Sequence, residues 1–189
     1  MKSIISLFFV FMLLIVSSCN NNSTTQDNQT SSTNNTSLPG GQENVNDTIS
    51  QKDVVKVAAG SKDHTTLVAA LKQAELITSL SNAGPFTVFA PTNAAFDALP
   101  KGTVDDLMKP EKKEDLQNIL QYHVTLSGMK AESFQDGQTL GMVNGDNVTV
   151  NVKDGKVTLN NTVHIIASIQ ASNGIVHIVD GVLLPPSKK

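Results

Sequence analysis

The 189-residue chain has one cysteine, Cys19, and no arginine; all fourteen of its basic residues are lysines. A single cysteine excludes an internal disulfide. Beyond residue 19 it also excludes a thiol nucleophile and any cysteine-based zinc site. Without arginine there are no bidentate contacts to phosphate or guanine. With a net charge of −3, no nucleic-acid partner is expected. Histidine is sparse as well. His64, His123, His164 and His177 fall into no metal-ligating spacing. The chain contains no Gly-x-Ser-x-Gly, no phosphate-binding loop and no paired-carboxylate signature. Asp105-Asp106 and Glu114-Asp115 are helical neighbours that do not face each other, which suits a solvated face. No catalytic residue, metal site or cofactor is therefore expected.

What is present comes as three materials in succession. Residues 1–18 carry one charge, Lys2, followed by residues 4–16, apolar except for Ser6. A positive start, an apolar run and small residues before a cleavage point predict a secretory signal peptide. The run of 13 residues is short of the roughly 20 that a spanning helix needs. Val16-Ser17-Ser18-Cys19 resembles the lipobox of bacterial lipoproteins. That resemblance implies acylation of the Cys19 thiol, cleavage before it, and acylation of the freed amine. Two or more acyl chains give stable membrane anchoring where one is marginal. In lipoproteins of double-membraned bacteria, an aspartate after the cysteine favours retention in the inner membrane. Asn20 stands there, so the resemblance implies the outer membrane, with the domain facing the surface or the periplasm.

Residues 19–48 are the second material. After Cys19 they hold no aromatic residue, and Leu38 and Val45 are their only large apolar ones. Such a composition cannot offset the entropy of ordering, so a disordered tether is expected. About 30 residues of flexible chain have a mean reach of roughly 30 Å, enough to hold a domain beyond the lipid headgroups.

Residues 49–187 have the length of one domain with a real core. Asp53 predicts a cap for a short helix carrying Val54, Val55, Val57 and Ala58, stopped at Gly60. Leu67, Ala70, Leu71 and Ala74 form one apolar stripe of a second helix, with Asp63 or Thr65 as its cap. A short helix over 75–80 follows. Gly84-Pro85 breaks the pattern, and 86–90 reads as a strand ended by Pro91. Thr92 predicts an N-cap for a helix over 93–99, and two more helices are expected at 104–108 and 113–121. Period two then takes over. Val148, Val150 and Val152 share one face, Asp154-Gly155 predicts a hairpin turn, and 156–159 and 163–169 continue as strands. Asn173-Gly174 reads as a turn with positive φ angles, and 175–184 as one long strand or two short ones. Helices first and strands later predict α+β rather than a parallel α/β sheet.

Two segments carry a family resemblance. Gly84-Pro85-Phe86-Thr87-Val88-Phe89-Ala90-Pro91-Thr92-Asn93-Ala94-Ala95-Phe96 resembles the first signature of the fasciclin domain. Ala171-Ser172-Asn173-Gly174-Ile175-Val176-His177-Ile178-Val179-Asp180-Gly181-Val182-Leu183-Leu184-Pro185 resembles the second, and Tyr122-His123-Val124 between them resembles the family's Tyr-His motif. The match spans about residues 54–186. It implies a wedge-shaped β-sandwich with a helical layer packed beside it. It also implies a non-catalytic role in cell adhesion or matrix and biofilm attachment, with no shared cofactor and with a protein or glycan partner.

Most motif residues also have an adequate structural account. Phe86, Val88 and Phe89 fit a core, Thr92 and Asn93 a helix start, Asn173 and Gly174 a turn, and Asp180 a strand end. Tyr122 and His123 are the binding candidates through the family's Tyr-His motif; the alternative is a packed ring and a hydrogen-bonded core imidazole. Adhesive members often carry an Asp-Ile pair before the Asn-Gly, where this chain has Ser168-Ile169. The resemblance therefore does not extend to integrin-type recognition. The competing functional reading is a periplasmic binding module for a small or lipidic ligand or an envelope polysaccharide, for which a deep apolar pocket would speak. Neither reading fixes an oligomeric state.

Overall fold

The computed structural model of the chain describes residues 52–186. The signal peptide, Cys19 and the polar tether expected from the sequence lie outside the described residues. Helix α1 (Val54–Ala59) starts at Asp53, whose side chain accepts from Lys56 N at 2.8 Å. Helix α2 (Thr65–Gln73) departs from expectation. Neither Asp63 nor Thr65 caps it; His64 holds the N-cap position without a side-chain bond. The first turn is instead capped from a distance: Asn93 Oδ1 accepts from Thr66 N at 3.0 Å. Short helix α3 (Ile77–Ser81) precedes strand β1 (Phe86–Pro91). Thr92 Oγ1 accepts from Ala95 N at 3.3 Å and opens α4 (Asn93–Asp97). Helices α5 (Thr103–Leu107) and α6 (Lys113–Gln121) follow.

The remaining elements are strands: β2 (Val124–Thr125), β3 (Thr139–Gly141), β4 (Asn147–Lys153), β5 (Lys156–Leu159), β6 (Val163–Ala171) and β7 (Gly174–Val179). Between β4 and β5, Asp154 and Gly155 take φ of 51° and 73°, the double left-handed turn that suits a two-residue hairpin. Strand β7 ends at Val179, short of the strand expected to reach residue 184. There Val179 O accepts from Thr92 N, and the chain turns away at Asp180.

The strands form one sheet in the order β2-β1-β7-β6-β5-β4-β3. Strands β1 and β7 pair in parallel, Phe86 opposite Gly174 through Pro91 opposite Val179, and the other pairs are antiparallel. The architecture is α+β. Strand β6 serves two ladders in turn. Its first residues, Val163 and His164, pair with β5, and from Ile165 onwards it pairs with β7.

Two apolar clusters lie on opposite faces of β1 and β7. Alternation along β1 sends Val88 and Ala90 to the helices, where they meet Val54, Leu67, Leu71 and Leu120. Phe89 points the other way, into a cluster with Leu140, Val148, Val150, Leu159 and Val179. Side chains of β1 and of β3, far apart in the strand order, therefore meet in one core, so the sheet folds over on itself like a wedge. Phe89 is fully buried, a contribution of roughly 2–3 kcal/mol.

Candidate functional site

The signature asparagines, Asn173 buried and Asn93 half-buried, tie distant segments together. Asn173 Oδ1 accepts from Val54 N at 2.9 Å, and its Nδ2 donates to Leu80 O and Asn82 O at 2.7 and 2.8 Å. One side chain thus fixes the start of α1 and the end of α3 against the β6–β7 connection. Asn93 does the same for α2, donating from Nδ2 to Lys62 O at 3.0 Å while capping Thr66. Gly174 corrects the sequence reading. Neither Asn173 nor Gly174 is among the positive-φ residues. Glycine is needed because a Cβ there would collide with the backbone carbonyl of Phe86 in the parallel partner strand.

The Tyr-His pair is equally engaged. Tyr122 is 2 % exposed. Its hydroxyl donates to Asn147 O at 2.9 Å and accepts from Asn160 Nδ2 at 3.0 Å. His123 Nδ1 lies 2.8 Å from Ile119 O, and its Nε2 accepts from Leu183 N at 2.9 Å. A carbonyl can only accept and a backbone N–H can only donate, so the ring must be neutral with its proton on Nδ1. Burial pushes its pKa down to about 4, against the bond to Ile119 O, which works the other way. His177 stacks on Phe89 at 5.6 Å and bonds Met129 O through Nε2 and Ser168 Oγ through Nδ1. Burial also lowers its pKa, and that of His64. Asp180 accepts from His164 N at 2.7 Å and meets His164 Nδ1 at 2.8 Å, on the surface at the start of β6. Among the described residues, no group of His, Cys, Asp and Glu could hold a metal ion, and no helix is long and apolar enough to cross a membrane.

The surface contributes what the motifs do not. Above His123, Leu67, Phe96, Leu116 and Leu184 line an apolar recess of about 20 Å³. That is room for one water, against the roughly 300–1,000 Å³ of small-molecule sites. A groove of about 210 Å³ runs between α3, β1 and β2. Leu80, Phe86 and Val124 line it, and exposed Leu126 and Val143 also border it. Strand β6 is the third feature. Residues 166–170 are exposed in unbroken sequence, with Ile166 at 61 % and Ile169 at 40 %. The sequence predicts a strand over 163–169, but no motif marks its exposed run as a surface feature. The signal was nonetheless there: 165–171 reads Ile-Ile-Ala-Ser-Ile-Gln-Ala, without charge, proline or glycine.

Comparison with known proteins decides the family. The model of the fasciclin domain matches residues 62–185. The chain belongs to the fasciclin domain family. It is 50 % identical over 139 residues to protein sll1483 of Synechocystis, covering 74 % of this chain and 77 % of that one. It is 34 % identical over 145 residues to the cell surface glycolipoprotein MPB83 of Mycobacterium bovis, covering 74 % of this chain and 64 % of the relative. Among solved structures, the FAS1 domain pair of the insect cell adhesion molecule Fasciclin I aligns with a TM-score of 0.62 at 16 % identity, over 72 % of this chain and 52 % of that one. At that identity the likeness concerns the fold. The fasciclin domain therefore spans the described core, and both signatures are internal to it. Its polar motif residues hold the fold, while its exposed large apolar side chains sit at the groove (Leu126, Val143), on β6 (Ile166, Ile169) and at the recess (Leu184).

Proposed function

We propose that the protein is an exported lipoprotein, anchored through Cys19, that displays its fasciclin domain for cell adhesion or for attachment to matrix or biofilm. The observation that carries this reading is the distribution of chemistry. The signature side chains spend their hydrogen bonds within the fold, and the recess above His123 is too small for a ligand. What is left to a partner is open surface, the kind of contact that suits a macromolecule. Two relatives support it by name: one is a cell surface glycolipoprotein, and one solved neighbour is a cell adhesion molecule. Expected localisation is the outer membrane, with the domain outside and a protein or glycan as partner.

Protease shaving of intact cells tests the proposal. The domain should be removed while a periplasmic control survives, and Cys19→Ala should release it from the membrane fraction. A domain protected until the outer membrane is opened would overturn surface display. The 210 Å³ groove would then be the place to look for an envelope ligand.

A further inference from the structure

The backbone of β6 has an open side. Asn173 O and Val179 O accept from Phe86 N and Thr92 N, so the odd-numbered residues of β7 turn their backbone groups to β1. The even-numbered ones, Gly174, Val176 and Ile178, turn to β6, opposite Ala171, Ile169 and Ala167. Alternation along an antiparallel strand then aims the N–H and C=O of Ser168 and Gln170 off the sheet. On that side β5 covers only Val163 and His164. Exposed edges are normally guarded by charge, proline or a bulge. Residues 166–170 carry neither charge nor proline, and the irregularity between Ile165 and Ala167 leaves 167–171 regular. Among the described residues, no hydrogen-bond partner reaches the backbone of Ser168 or Gln170.

One contact shows what can cover this edge. Ser172 has the same outward parity, and its N–H donates to Lys52 O at 3.0 Å. Two residues on, Val54 N donates to Asn173 Oδ1 at 2.9 Å. Between them Asp53 is extended, at φ −65° and ψ 169°. Partner numbers rise together along the two chains, so the lead into α1 runs parallel to β6. Followed upstream, an extended chain in that sense lies along the open edge. The residues before Lys52 suit it: 42–52 hold no proline or glycine, and Val45, Thr48 and Ile49 are β-branched.

We infer that residues 48–51 pair in parallel with β6 and complete the sheet as a further edge strand. The bond from Ser172 to Lys52 sets the register. In a parallel ladder a residue bonds the two neighbours of the residue it faces. Ser172 thus faces Asp53, Gln170 faces Gln51 and Ser168 faces Ile49. Gln170 N–H then donates to Ser50 O, and its C=O accepts from Lys52 N. Ser168 N–H donates to Thr48 O, and its C=O accepts from Ser50 N. All four outward groups are satisfied. Because the segment is joined to the domain at Lys52, it closes no loop and outcompetes a foreign strand through its effective concentration. Asp47 follows just upstream and puts a charge at the end of the new, short edge. Pairing is internal to the chain and does not depend on the adhesion reading. A partner strand reaches this edge only by displacing the lead.

Amide hydrogen exchange, read residue by residue by NMR on the chain from Cys19 to Lys189, tests the inference. Ser168 and Gln170 amides should exchange at least about tenfold more slowly in the wild type than in Ser50→Pro, which lacks the N–H that faces Ser168 O. Gln51→Pro, whose lost N–H points to solvent, should keep the protection. Ile169, paired with Val176 of β7, reports in each variant that the sheet itself is intact. Fast exchange of Ser168 and Gln170 in the wild type would overturn the inference. So would protection that survives Ser50→Pro, or an equal loss in both variants. Protection that rises with protein concentration would overturn it too, and would give the edge to a second copy.

Discussion

Strands β7 and β6 are hydrogen-bonded neighbours with opposite fates. In β7, Ile175, Val176, His177 and Val179 are buried, and both faces pack against apolar clusters. In β6, residues 166–170 are all exposed. The second signature begins at Ala171, the last residue of β6, and runs on through β7. The motif therefore marks the part of the domain that must be built one way, and the neighbouring strand is left free to vary.

That contrast can be broken at several depths. The largest effect is expected from Gly174→Ala, which drives a methyl group into the Phe86 carbonyl of the parallel strand. Backbone cannot yield there without parting β1 from β7, so a loss of at least ~4 kcal/mol or failure to fold should appear in chemical denaturation. An intermediate effect follows from pH. His123 is neutral when folded, with its pKa lowered from 6.5 to about 4. The unfolded chain takes up this proton below pH 6.5 and the folded chain does not. Stability is thus full above pH 6.5 and falls as pH drops towards 4, by roughly 3 kcal/mol from this residue. Buried His177 and His64 push in the same direction. Urea melts at pH 7 and pH 4.5 would measure it, and equal midpoints would contradict the neutral, fully bonded ring. The smallest effect belongs to β6: Ile166→Thr at a 61 % exposed position should change stability by no more than about 0.5 kcal/mol. A larger loss would mean that β6 is not the tolerant partner of the pair.

Local features were legible in the sequence because their causes are local. Asp53 and Thr92 cap the helices that follow them, and Asp154-Gly155 turns its hairpin. What escaped reading depends on residues far apart in the chain. No local pattern says that Asn93 will cap α2 or that β1 will lie parallel to β7. Gly174 was marked for the wrong reason, since its necessity comes from Phe86 and not from its own φ. Strands β2 and β3, two and three residues long, are too short to carry a period. For the candidate site, the motif residues were identifiable, yet their geometry assigns them to the scaffold. The exposed run on β6 was written in the sequence as a strand without charge, but only the ladder shows that one of its sides is vacant.

The bond from Ser172 N to Lys52 O has a mechanical consequence. The chain leading in from residue 19 joins the domain at Lys52, and Asn173 clamps Val54 two residues on. Tension on that lead enters beside the end of β6. The same lead runs on through Asp53 into Val54, a core residue at the start of α1, so a pull is shared between the end of β6 and the Asn173 clamp rather than borne by one hydrogen bond.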